Sequence, residues 1–209
     1  MSILLHIDSS PLGEASISRR LSGEFIQSWK QANPNGKIIV RDLTAGNLPA
    51  IDAGSIGAFF TPADSRSAAQ REILALSDTL IAELRSADEY VFGVPMHNFA
   101  VPSVLKLWID QIVRAGETFS YVDGAPAGLL KNKKATFLLA SGGVYGEGSA
   151  MASFNFVEPY LRKIFGFVGV TDTNFVTAGG SAALMYGKID RQTFLQPHID
   201  TIRAQFQPA

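Results

Sequence analysis

The sequence contains no cysteine, only three histidines, and charged side chains at just 18% of its positions. Soluble domains average about 25% charged residues. Without cysteine there is no disulfide framework, no thiolate nucleophile, no cysteine-ligated zinc and no iron–sulfur cluster. His6, His97 and His198 are scattered, with no pair at helical spacing, so no metal site is expected. Eighteen basic residues against nineteen acidic ones leave a formal charge of −1. That balance provides no field for a nucleic-acid backbone or an acidic membrane. The apolar run Ile3–Ile7 has no basic flank and is too short for a signal peptide or a membrane span, so a cytoplasmic location is expected. Three motifs are also missing: GxxxxGK[ST], GxGxxG after the first apolar run, and GxSxG. Their absence disfavours a nucleotide triphosphatase, a dinucleotide-binding Rossmann site and an α/β-hydrolase.

Apolar residues, by contrast, are plentiful. Hydrophobic side chains make up 46% of the 209 residues, fourteen of them Phe. A single domain spanning residues 1–209, with ample core, is expected. So charge-poor a chain has few polar groups with which to cover itself, which suggests a buried oligomer interface.

Five short, nearly continuous apolar runs read as strands: Ile3–Asp8, Lys37–Asp42, Tyr90–Pro95, Ala135–Ser141 and Thr173–Thr177. Such runs mark strands buried on both faces of a parallel sheet. Helix-period segments fall between them. The first carries Ile17, Leu21, Phe25 and Trp29; the second Ile73, Leu76, Leu80 and Leu84. The third runs from Pro102 to about Val113, the fourth from about Ser153 to Phe165, and the last carries Leu195, Ile199, Ile202 and Phe206. Strict alternation predicts an α/β fold: a flavodoxin-like, three-layer, doubly wound, five-stranded parallel sheet of order 2-1-3-4-5. The segments Leu43–Arg66 and Gly116–Lys131 are long for connections, and read either as functional loops or as surface decoration. Val104, Leu105, Leu107, Trp108, Ile109, Ile112 and Val113 make the third helix apolar nearly all round. Its second buried side needs a long loop or another subunit.

Ligands of such sheets bind beyond the carboxyl ends of the strands, at the switch point. Three unusual loops fall there. The first, Ser9–Ser18, offers hydroxyls and free N–H groups at a helix start, which suit a phosphate; Ser16 serves equally as an ordinary N-cap. The second, Pro95-Met96-His97-Asn98-Phe99, combines apolar, polar and aromatic groups, as the edge of a flat heteroaromatic ligand requires. The third opens with Ser141-Gly142-Gly143, where paired glycines allow close backbone approach or simply make a flexible loop.

Taken together, Ser9-Ser10…Ser16-Ile17-Ser18, Arg41-Asp42-Leu43, Pro95-Met96-His97-Asn98-Phe99, Arg114-Ala115-Gly116-Glu117-Thr118-Phe119 and Gly142-Gly143 resemble the FMN-dependent NADH-azoreductases, within the flavodoxin-like quinone reductases. The resemblance spans essentially the whole chain. It implies non-covalently bound FMN, NADH or NADPH as electron donor, and a homodimer with active sites at its interface. It places the flavin phosphate on Ser10, Ser16, Ile17 and Ser18, and the ring system against Met96, His97, Asn98 and Phe99. Ala140, Ser141, Gly142 and Gly143 would line the other edge. The family often has Tyr where His97 stands and Ser-Arg where Ala140-Ser141 stand.

The implied chemistry is a ping-pong, two-electron reduction of flat acceptors such as quinones and azo compounds. The flavin does the redox work, so no catalytic side chain is assigned. Tyr121 and Tyr145 are candidates as proton donors or stackers, and Phe59, Phe60 and Phe119 as pocket walls; packing explains each of them equally well. The competing reading is a flavodoxin-type electron carrier without NAD(P)H turnover of its own. Such carriers are usually strongly acidic, unlike this chain.

Overall fold

The structure is a computed structural model and describes residues 1–207. In chain order the strands are β1 (Ile3–Asp8), β2 (Lys37–Asp42), β3 (Glu89–Pro95), β4 (Phe119–Val122), β5 (Ala125–Gly128), β6 (Lys134–Ala140) and β7 (Asp172–Ala178). The helices are α1 (Ile17–Ala32), α2 (Ala53–Phe60), α3 (Ala68–Ser86), α4 (Ser103–Ile112), α5 (Val157–Phe167), α6 (Ala182–Met185) and α7 (Arg191–Ala204). Five strands pair in parallel in the order β2-β1-β3-β6-β7, and β4 and β5 form a separate antiparallel hairpin. With the hairpin strands left out of the count, this is the expected order 2-1-3-4-5.

Alternate strand residues point to opposite sides of the sheet, and here each side meets its own cluster. Leu5, Ile7, Tyr90, Phe92, Phe137 and Leu139 pack with Leu80 and Leu84 of α3, Trp108 of α4 and Phe165 of α5. Leu4, Val91 and Leu138 pack with Leu21, Phe25 and Trp29 of α1 and Ile199 and Ile202 of α7. Each fully buried large side chain contributes about 1.5–3 kcal/mol.

The long connections contain elements that the periodicity does not reveal. Residues 43–66 include α2, whose N-cap Asp52 accepts a hydrogen bond from Ser55 N at 2.7 Å. Gly54 and Gly57 lower its helix propensity, which hides it in the sequence. Residues 116–131 include the β4–β5 hairpin, turned by Asp123 (φ 51°) and Gly124 (φ 79°). The fourth helix starts later than expected, at Val157. Asn155 Oδ1 accepts from Val157 N (3.2 Å) and Glu158 N (3.3 Å), and a short 3-10 turn at Ala152–Phe154 precedes it. Phe206 falls just beyond α7.

The chain itself covers part of the second side of α4. Gln111, 4% exposed, donates from Nε2 to Pro49 O (3.1 Å), and its carbonyl accepts from Ser77 Oγ of α3 (2.5 Å). Val104, Leu107 and Val113 stay half-buried. Among the described residues, no helix is long and apolar enough to cross a membrane.

Candidate active site

Strand register brings the three loops to one edge. Asp8 of β1 lies beside Gly93 of β3, and Pro95 of β3 beside Ala140 of β6. Ser9 ties the first loop to β3, donating to Gly93 O from both N (3.1 Å) and Oγ (2.9 Å). Met96 N donates to Ala140 O (2.7 Å) and ties the second loop to β6. Gly93 lets α1 approach the sheet here: a Cβ would meet the Asp8 carboxylate, Ser18 O at 3.2 Å and Ser22 Oγ at 3.3 Å.

The first loop is a polar cradle built largely from buried serines. Ser10, Ser16 and Ser18 are all at most 2% exposed. Ser16 caps α1 by accepting from Arg19 N (3.2 Å), and its hydroxyl lies 3.1 Å from that of Ser18. The N–H groups of Ile17 and Ser18 donate to no acceptor among the described residues. Two free N–H groups and two hydroxyls thus gather at the positive end of a sixteen-residue helix, a set of donors whose chemistry suits an anion. Behind them, Arg19 Nε donates to Ser10 O (2.8 Å), and its NH2 group donates to Asp42 Oδ1 (2.7 Å) and Thr44 Oγ1 (3.0 Å). The bond from Arg19 holds the Asp42 carboxyl down at about 2, against the opposing effect of partial burial.

The second loop makes a tight turn. His97 and Ala100 exchange backbone hydrogen bonds at 3.0 Å, and the two residues between them, Asn98 (φ 48°) and Phe99 (φ 69°), both lie in the left-handed region. That is a type I′ turn, where Asn is common but an aromatic residue is strained. The Phe99 ring rests against Phe154 (centroids 5.1 Å) and Tyr145 (5.9 Å), and Phe99 O accepts from Phe156 N (3.1 Å). His97, Asn98 and Phe99 are exposed, Met96 is half-buried, and the walls hold Phe99 in place.

The third loop is fixed from the far side. Gly180 N donates to Gly143 O (2.9 Å), Ser181 N to Ser141 O (3.0 Å) and Ala182 N to Gly142 O (3.1 Å). Ser141, 6% exposed, donates from Oγ to Gly143 O (2.9 Å), so the hydroxyl that stands in place of an arginine braces the turn. Ala140 is buried. A Cβ on Gly143 would sit 2.9–3.0 Å from the Tyr145 ring.

The other motif residues are architectural. Arg41 pairs with Glu83 of α3. Leu43 is buried, and its N–H donates to Asp8 O (2.9 Å). Arg114, 2% exposed, donates to Ser77 Oγ (2.7 Å) and Asp78 Oδ1 (2.6 Å) beneath the Phe59 ring. Thr118 Oγ1 donates to Ile112 O (2.7 Å) and closes the turn after α4. Phe119 packs on Phe167, with centroids 4.6 Å apart.

A family model described as flavodoxin-like fold matches residues 2–205. The chain is 54% identical over 203 residues to an FMN-dependent NADH:quinone oxidoreductase of Acidobacterium capsulatum, covering 97% of this chain and 98% of the relative. It is 52% identical, with the same coverage, to FMN-dependent NADH:quinone oxidoreductase 3 of Burkholderia lata. The chain belongs to the FMN-dependent NADH:quinone oxidoreductase family. Azoreductase structures share its fold. An azoreductase from Bacillus anthracis superposes with a TM-score of 0.88 at 28% identity, covering 99% of both chains. A Bacillus anthracis FMN-dependent NADH-azoreductase in complex with FMN gives 0.87 at 27%, covering 99% of this chain and 98% of that one.

Sequence reasoning about this oxidoreductase-family chain missed one residue of the cradle. Arg191, the first residue of α7, donates to the carbonyls of Glu14, Ala15 and Ser16. No local pattern marks it, because its partners lie 175 to 177 positions away.

Proposed function

We propose that this chain is a cytoplasmic FMN-dependent NADH oxidoreductase that reduces quinones and azo compounds by a ping-pong cycle. On this reading it is one three-layer, doubly wound domain that works as a homodimer with active sites at the interface. The observation that carries the reading is the pairing, at one sheet edge, of an anion cradle with a strained aromatic turn. The cradle fits a phosphate: Ser10, Ser16, Ile17 and Ser18 present hydroxyls and free N–H groups without lysine or metal. Met96, His97, Asn98 and Phe99 suit a flat ring system on one edge, and Ala140, Ser141, Gly142 and Gly143 line the other, with open space beside Gly142, where a Cβ would meet nothing nearer than Ala182 at 4.0 Å. When bound there, FMN supplies hydride acceptance from NADH and two-electron delivery to the acceptor.

The protein's share is position and electrostatics. The N–H groups of Asn98 and of the Gly142-Gly143 turn serve the electron-rich edge of the ring as fixed donors. Tyr145, held against Phe99, backs the ring wall. The low net charge favours an enzyme over an acidic electron carrier that docks partners by charge. The dimer is supported by the charge-poor composition and by exposed apolar side chains such as Phe60, 78% exposed.

Steady-state oxidation of NADH and NADPH with FMN present, against a quinone and an azo dye, tests the assignment. Turnover with parallel double-reciprocal lines is expected. Turnover only on addition of a separate reductase overturns it in favour of the carrier. Ser16→Ala combined with Ser18→Ala is expected to weaken FMN binding by about 1–3 kcal/mol per lost charge-assisted bond. Unchanged retention moves the phosphate elsewhere.

A further inference from the structure

Arg191 reaches across the molecule to the cradle. Its NH1 group donates to Ala15 O at 3.0 Å, and its NH2 group donates to Glu14 O at 3.0 Å and Ser16 O at 3.2 Å. These three consecutive carbonyls end at the peptide joining Ser16 to Ile17. The carbonyl of that peptide faces the guanidinium, and its N–H is one of the two free donors of the cradle. A cation on the carbonyl oxygen polarises the peptide and strengthens the N–H at its other end. Arg19 does the corresponding work at the start of the loop by holding Ser10 O at 2.8 Å. Both ends of the loop are thus held with the carbonyls of Ser10, Glu14, Ala15 and Ser16 turned toward guanidinium groups.

The neighbouring arginines all have carboxylate partners. Arg19 pairs with Asp42 and Asp8, and Arg20 and Arg203 share the buried Glu24. Arg191 forms no ion pair with a carboxylate among the described residues, and its guanidinium is given to the three loop carbonyls instead. A guanidinium fork can bridge several carbonyls at once, whereas an ammonium is a single point charge.

We propose that Arg191 is the positioning residue by which this chain selects a phosphorylated flavin over the unphosphorylated one. It acts through the Glu14–Ser16 backbone and the field behind it, without touching the flavin. The proposal rests on the reading that the Ser10–Ser18 loop holds the flavin phosphate.

The test compares FMN with riboflavin, each titrated by fluorescence quenching into flavin-free wild type, Arg191→Met and Arg191→Lys, with flavin-free melting curves alongside. Wild type is expected to prefer FMN. Arg191→Met is expected to lose about tenfold in FMN affinity, with riboflavin affinity unchanged within about twofold. Arg191→Lys is expected to fall between the two, keeping the charge without the fork, and it carries the test if the methionine variant does not fold. Equal losses for both flavins would mean that Arg191 only ties α7 to the loop, and would overturn the proposal. So would unchanged FMN affinity. A wild type that binds both flavins equally overturns the phosphate reading itself, and this proposal with it.

Discussion

Phe99 sits at φ 69° between the two backbone bonds that close the His97–Ala100 turn. An L-residue pays about 1–2 kcal/mol for that region and glycine almost nothing. Phe99→Ala and Phe99→Gly both remove the ring, but only glycine relieves the backbone. The flavin-free glycine variant is therefore expected to be more stable than the alanine variant by about 1 kcal/mol, or ~2–4 °C in melting temperature. Both variants lose the same wall, so both are expected to weaken FMN binding. If alanine melts above glycine, the turn is not strained as described. Asp42 offers a second test at this scale. Its folded pKa is depressed to about 2 from an ordinary 3.8 by the bond from Arg19. The stability it contributes is full above the unfolded value and disappears as pH falls through the folded one. Asp42→Asn is expected to be less stable than wild type at pH 7, and the gap should narrow as pH drops from about 4 towards 2. Denaturant curves across that window check this; a constant gap overturns it.

The seam between β3 and α1 is set by one missing side chain. Gly93→Ala puts a Cβ into the Asp8 carboxylate and against Ser18 O, so α1 must shift outward. A loss of about 1–3 kcal/mol in chemical unfolding is expected, together with weaker FMN binding because Ser18 moves with the helix. The main elements were legible because double-sided burial writes itself as apolar runs such as Tyr90–Val94. The hairpin was not read from the sequence: its strands are only four residues each and stand outside the main sheet, although Asp123-Gly124 between them is a recognised turn pair. The α2 helix was not legible either, because two glycines in eight residues mask a helix that stands on its Asp52 cap and packing against α3. Within the candidate site, the serines were legible as a cluster at a helix start, and the structure brings Ser16 and Ser18 within 3.1 Å of each other. Nothing in the sequence announces Phe99 as a left-handed residue, since tertiary contacts to Phe154 and Tyr145 hold it there.

For the whole molecule, the charge-poor surface and the exposed Phe60 lead to a measurable expectation. Sedimentation at micromolar concentration should show a two-chain species. Phe60→Asp should shift it toward single chains with an unchanged circular dichroism spectrum, because a side chain 78% exposed contributes little to the chain's own core. A wild type that sediments as one chain overturns the dimer. A variant that stays dimeric places the interface away from α2.

The reach of Arg191 also has a consequence in time. Glu14, Ala15 and Ser16 are translated near the start of the chain, and the residue that completes their hydrogen bonding comes 175 to 177 positions later. Ribosomes add about 5–20 residues per second, so the loop waits roughly 10 s or more for its clamp. During that interval the nascent chain carries the serines of the cradle but not its final shape. On the reading that this loop holds the flavin phosphate, FMN is expected to reach its full affinity only in chains that have been translated through the start of α7.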